Sequence, residues 1–221
     1  MQDESFAIRS ACGMFWLQER SVHQEEEAGH VKEIAAEWIR RLEARRPFLP
    51  LRPASTVDLS MDREIGALHP ETLAGSEEAG LSLQVGLFLW NGSLDRSHTI
   101  AQEIETPTGS YWHGLMHRME GDYSNAKYWF RLVGDHPAMT SLPAKLRSLL
   151  EEHNAQGMLQ ASAAGQRLLL AAEQAHWDPY GFIDAVAATE RRQGSGELRS
   201  LLEAMQHAEL AALAAYSAAQ A

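Results

Sequence analysis

Helix breakers punctuate this chain at short intervals, and between them the apolar residues recur at three-and-four spacing. Asn91-Gly92, Pro107, Gly121-Asp122, Gly134, Pro137, Pro143 and Asp178-Pro179 each open or close such a segment. Gly and Asn end helices, Asp and Ser cap them, and Pro is tolerated only in a first turn, so each mark has a defined side. No stretch reads as a strand. Short helices joined by tight turns can bury their apolar stripes only against one another, which leaves an all-α fold of stacked antiparallel helical hairpins.

The segments are placed as follows. Val31, Ile34, Ala35, Trp38 and Leu42 mark an amphipathic helix, with Ser21-x-x-Gln24 as a capping box, Glu25 to Glu27 near its start and Arg40, Arg41, Arg45 and Arg46 near its end. That charge order suits the helix dipole. Pro47, Pro50 and Pro53 then predict an extended connector over 47–70, which either wraps the surface or hides a short helix near Met61 to Leu68. Helices are predicted from Ser76 to Asn91, Leu94 to Glu105, Ser110 to Glu120 and Ser124 to Val133. Others start at Leu142-Pro143, span Met158 to Ala175, start at Asp178-Pro179 and run from Glu197 to Ala219. One domain, 1–221, is expected: N-terminal helices over 1–46, the connector over 47–70, repeat-like hairpins over 71–137 and C-terminal helices over 138–221.

Two hairpin turns look alike, Gly92-Ser93-Leu94-Asp95 and Gly121-Asp122-Tyr123-Ser124, with the two glycines 29 residues apart. Gly114, Gly121-Asp122-Tyr123, Ala126 and Phe130 fall at the spacing of a tetratricopeptide repeat, which that hairpin resembles, with Pro137 one position early. His113 and His117 stand where that repeat places Leu and Tyr. The whole stretch 109–137, GSYWHGLMHRMEGDYSNAKYWFRLVGDHP, is also similar to the signature of a group of uncharacterised bacterial and fungal helical proteins. That resemblance implies a shared fold and no particular reaction.

Composition removes several classes. A formal net charge of −11 disfavours nucleic acid and anionic membrane as partners, since both need clustered Lys and Arg. The single cysteine, Cys12, excludes an intrachain disulfide and suits a reducing, cytoplasmic setting. The start, Met1-Gln2-Asp3-Glu4, lacks the basic residues of a secretory signal, and the apolar run Val85 to Trp90 is far too short to cross a bilayer. Phosphate-binding glycine loops, the Gly-x-Ser-x-Gly elbow and Cys-x-x-Cys pairs do not occur.

The chemistry concentrates in 109–137. His113 and His117, four apart, project from one helix face, and Glu120 follows on the same side. Two imidazoles and a carboxylate suit Zn²⁺ or Fe²⁺. Gly114 stands where a zinc protease carries its general base, so that mechanism is rejected. Two other readings remain open. The pair can be buried polar residues satisfied by Asp122, Tyr128 or a backbone carbonyl, or one of them can act as general acid or base beside Arg118 or Arg131. Asn125, Lys127, Tyr128, Trp129 and Arg131 on the next helix mix aromatic area with donors, as ligand pockets do. Packing of Trp129 and Phe130, with Lys127 and Arg131 paired to Asp122 or Asp135, is the alternative. The function expected is a binding or scaffold protein that takes a peptide or small molecule in a groove lined by Tyr111, His113, His117, Arg118, Asn125, Lys127, Tyr128, Trp129 and Arg131. The alternative is a small-molecule enzyme using the histidine pair as metal ligands or acid and base.

Overall fold

A computed structural model describes residues 29–153, 156–192 and 196–220. The expected capping box at Ser21, the acids Glu25 to Glu27 and Cys12 lie outside them. Helix is the only extended regular structure among the described residues, so the chain is all-α. Helix α1 covers 29–43, and Ala35, Trp38 and Leu42 are its buried stripe. The 47–70 segment does contain a helix, α2 (Leu59–Ala67), whose first turn Asp58 caps by accepting from the amides of Ser60 and Met61. The rest of that segment is tied down rather than loose: Leu49 and Leu51 are buried, and the Arg52 guanidinium donates to the Glu120 carbonyl at 2.8 Å.

Then come α3 (Glu77–Trp90), α4 (Leu94–Ala101), α5 (Pro107–Glu120) and α6 (Tyr123–Val133). The predicted Leu94–Glu105 helix stops early, and the chain turns to let Thr106 cap α5 with Pro107 in the first turn. Helix α3 is buried almost all round from Ser82 to Trp90, whereas α6 buries only Ala126, Phe130 and Val133. Helix α4 packs on α3 and α5, and α5 packs on α6 along its length. Two glycines make that last contact possible. A Cβ at Gly114 would lie 2.9 Å from the Phe130 ring, and Gly121 ends α5 with φ at 96°, where an L side chain is strained and where Arg52 covers it.

The C-terminal half comprises α7 (Leu142–Glu152), α8 (Gln156–Gln160), α9 (Ala163–Glu173), α10 (Pro179–Arg192) and α11 (Gly196–Ala218). The helix expected over Met158–Ala175 is thus two. Ser162 breaks it by capping α9, its hydroxyl accepting from Gly165 at 3.0 Å, and the apolar period runs on across the break. Asp178 caps α10 as expected.

The apolar residues form two clusters, one around α1, α3, α5 and α6 and one around α7, α9 and α10. Helix α11 serves both, with Leu201, Leu202 and Met205 in the second and Leu210, Leu213 and Ala214 in the first. Between them sits Glu209. Its Oε2 takes a 2.6 Å bond from Arg118, and its Oε1 accepts from the Tyr111 hydroxyl at 2.9 Å and the Trp177 indole at 3.2 Å. Arg118 and Glu209 are wholly buried, so neither charge has water to fall back on. Burial, then the Glu209 charge, raises Tyr111 well above the usual phenol range, which keeps it a donor. Tyr111 and Arg118, expected at a ligand groove, therefore join two halves of the core.

Arg118→Met leaves a buried carboxylate without its counter-charge and should cost about 3–5 kcal/mol in urea unfolding. Adding Glu209→Gln removes that charge while keeping an acceptor for Tyr111 and Trp177, so the double variant should regain at least half of the loss. Gly121→Val should cost roughly 2 kcal/mol or more, read the same way, because the left-handed cap excludes a branched side chain.

Candidate metal centre

Helix α5 presents His113 and His117 one turn apart on the face covered by α4 and α6, and the Asp122 cap starts α6 close enough for Asn125 and Trp129 to face them. The rings of His113 and His117 stack at 4.9 Å, and Trp129 stacks on His113 at 3.9 Å. A third ring, His98 of α4, stands edge-on to both, at 4.9 Å from His113 and 5.4 Å from His117. One ring nitrogen from each of His98, His113 and His117 lies within 4.8 Å of the others. His98 was not among the residues the sequence singled out. A solitary histidine carries no local mark, and its approach depends on how α4 folds back over α5.

The hydrogen bonds sort the expected residues. His117 Nδ1 meets Glu120 Oε2 at 3.1 Å, and its Nε2 meets Asn125 Nδ2 at 3.0 Å. The expected buried partners Asp122, Tyr128 or a carbonyl are thus replaced by Glu120 and Asn125. Glu120, expected as the third metal ligand, sits half-exposed on the outer nitrogen of His117, because three residues along α5 carry it past the cluster toward solvent. It holds His117 in the way carboxylates hold metal-binding imidazoles from behind. His113 is 3% exposed and its Nδ1 has no hydrogen-bond partner.

Electrostatics disfavours the charged form of His113 and His117. Burial first, then the neighbouring His117 and His98, pushes His113 down from 6.5 to about 4. Burial also lowers His117, against the pull of Glu120. Neutral imidazoles with available lone pairs are the state a cation needs.

The other expected groove residues go elsewhere. Lys127 pairs with Asp184 of α10 at 2.5 Å rather than with Asp122 or Asp135. Tyr128 is exposed, with Arg131 over its ring at 5.5 Å. Arg131 also borders a cavity of about 630 Å³ between α6, α9 and the start of α10, lined by Phe130, Trp177 and Tyr180. Of the nine groove residues, His113, His117, Asn125 and Trp129 come together, Tyr111 and Arg118 lie in the core, and Lys127, Tyr128 and Arg131 point to other surfaces.

Comparison with family models, curated proteins and solved structures finds no match to this chain. No helix among the described residues is long and apolar enough to cross a membrane.

Because His113 ionises near 4 when folded and near 6.5 when unfolded, only the unfolded chain takes up this proton between those values. Stability from this residue is therefore complete above about 6.5 and declines as the pH falls toward 4. His207, also near 4 through burial, acts in the same direction. The urea midpoint should drop between pH 7 and pH 5, and His113→Phe should flatten that drop; an unflattened profile would contradict the buried neutral ring.

Proposed function

We propose that this is a metal-binding protein in which His98, His113 and His117 hold one divalent transition ion, Zn²⁺ or Fe²⁺, that acts on a small molecule. The observation that carries the reading is the convergence of three ring nitrogens within 4.8 Å across α4 and α5, one ring being buried with an unpartnered nitrogen. Side-chain rotation has to draw the nitrogens together, since ligand atoms around a tetrahedral ion with bonds of about 2.0–2.1 Å stand roughly 3.3 Å apart. Imidazole ligands suit both ions, and an ion so held is a Lewis acid for a polar substrate. No general base stands at position 114, which Phe130 closes sterically, so peptide hydrolysis of the usual zinc-protease kind is not part of the reading.

A second reading is favoured by the cavity beside Arg131. Its volume lies in the range of small-ligand sites, and Phe130, Trp177 and Tyr180 give it an aromatic lining with Arg131 at its border. It would take a peptide or small molecule in a binding or scaffold role. An acidic net charge, a tetratricopeptide-like stack of hairpins and a cytoplasmic setting complete the proposal, with neither nucleic acid nor membrane as partner.

Elemental analysis and Zn²⁺ titration of protein purified without a histidine tag test the metal reading. One ion per chain is expected, raising stability by about 2.7 kcal/mol at a hundredfold excess over Kd. His98→Ala and His113→Ala should each abolish stoichiometric binding, and the double variant should be no worse. Glu120→Gln should retain the ion with affinity lowered about 10- to 100-fold. Wild-type protein that stays metal-free in Zn²⁺ and Fe²⁺ would overturn the reading.

A further inference from the structure

Among the described residues, His117 alone of the three rings has both nitrogens engaged. Glu120 can only accept when ionised, so Nδ1 of neutral His117 carries the hydrogen. Asn125 Nδ2 can only donate, so Nε2 carries the lone pair. The two bonds agree on a single tautomer. The lone pair that a metal requires from His117 is therefore the one Asn125 occupies, and the amide stands at the mouth of the site.

The root of that side chain is fixed, since the backbone amide of Asn125 donates to Asp122 Oδ1 at 3.0 Å in the first turn of α6. Its outer torsion is not fixed in the same way, because a carboxamide at the end of an sp³–sp² bond turns in a broad, roughly two-fold well. A half-turn exchanges Nδ2 for Oδ1. The exchanged oxygen would stand about where Nδ2 now lies, 3.0 Å from Nε2, close to the roughly 3.3 Å between neighbouring ligand atoms of a tetrahedral ion.

Resting on the metal reading above, we propose that Asn125 is the fourth protein ligand: its N–H holds His117 in the empty site, and its Oδ1 closes the coordination sphere once an ion enters. The resulting site has three imidazoles and one neutral oxygen. The amide oxygen is the weakest of the four donors, so a substrate reaches the ion by displacing Asn125 and leaving the histidines in place. A mere latch would behave oppositely, since removing a donor that competes for Nε2 would tighten metal binding.

Co²⁺ alone is the probe, added to the full chain and followed by its visible absorption and by affinity in competition with a chelator. Asn125→Ala should weaken Co²⁺ binding by about tenfold or more and change the absorption intensity, which reports coordination number. Asn125→Asp, with a charged oxygen in the same place, should bind at least as tightly as wild type with the four-coordinate spectrum kept. Thermal melts of the metal-free variants check that α6 remains folded, and if Asn125→Ala unfolds, the Asp variant's affinity and spectrum decide. Wild-type affinity or tighter in Asn125→Ala, or an unchanged spectrum, overturns the assignment while the three-histidine site stands. No Co²⁺ binding by wild-type protein overturns both.

Discussion

The buried pair Arg118–Glu209 is the constraint on which the remaining architecture depends. Two apolar clusters meet at α11, and a fold whose halves met only through Leu and Ala could slide one against the other at small cost. Glu209 removes that freedom. Its two oxygens bind Arg118 and Tyr111 of α5 and Trp177 ahead of α10, so a shift of any one element strands a charge or a donor away from water. The pair need not add net stability to do this, since desolvation offsets most of its Coulomb gain. It specifies register. Gln206 extends the same control to the connector, facing Arg118 at 3.5 Å and donating to the Pro50 carbonyl at 3.3 Å.

That register is also what fixes the histidine cluster. Arg118 follows His117 directly on α5, so locking the guanidinium toward α11 turns His113 and His117 to the other side of the helix, toward α4 and α6. The polar residues of one short segment are thus divided by helical geometry into a core face and a site face. Gly114 and Gly121 complete the arrangement, one admitting Phe130 at close range and the other turning the chain within a residue so that α6 returns along α5.

The hairpin of α5 and α6 was legible in the sequence because its determinants are local, Gly121 and Asp122 at the turn and Gly134 at the far end. The same holds for Asp178 and for the two histidines at helical spacing. The start of the hairpin, predicted at Ser110, lies at Pro107 under the Thr106 cap, because a proline that closes one segment also opens the next. Three features were not legible. The break at Ser162 interrupts a stretch whose apolar period is continuous, so the cap is masked by the pattern around it. Glu209 is one of three glutamates in an alanine-rich helix, with nothing local to set it apart, and its partner lies 91 positions away. His98 is a lone histidine whose neighbours are set by how α4 folds back. The last two depend on contacts between distant elements, which neither period nor propensity encodes.

What the cluster costs the fold is itself informative about its use. A buried nitrogen without a partner, such as Nδ1 of His113, costs about 1–3 kcal/mol. The stacking of His113 on Trp129 and on His117 returns roughly 0.5–1.5 kcal/mol per pair, and a Phe or Leu at the same positions would pack there without the unpaired nitrogen. Protonation gives no relief, because burial and the neighbouring rings already hold His113 near 4, where a charge is resisted. Three imidazoles gathered in this way gain little from one another and are paired only in part with the chain around them. Under the proposed metal reading, a cation would answer the lone pairs of His98 and His113 and would take that of His117 from Asn125, and the uncharged state that burial favours in His113 and His117 is the one in which they could receive it.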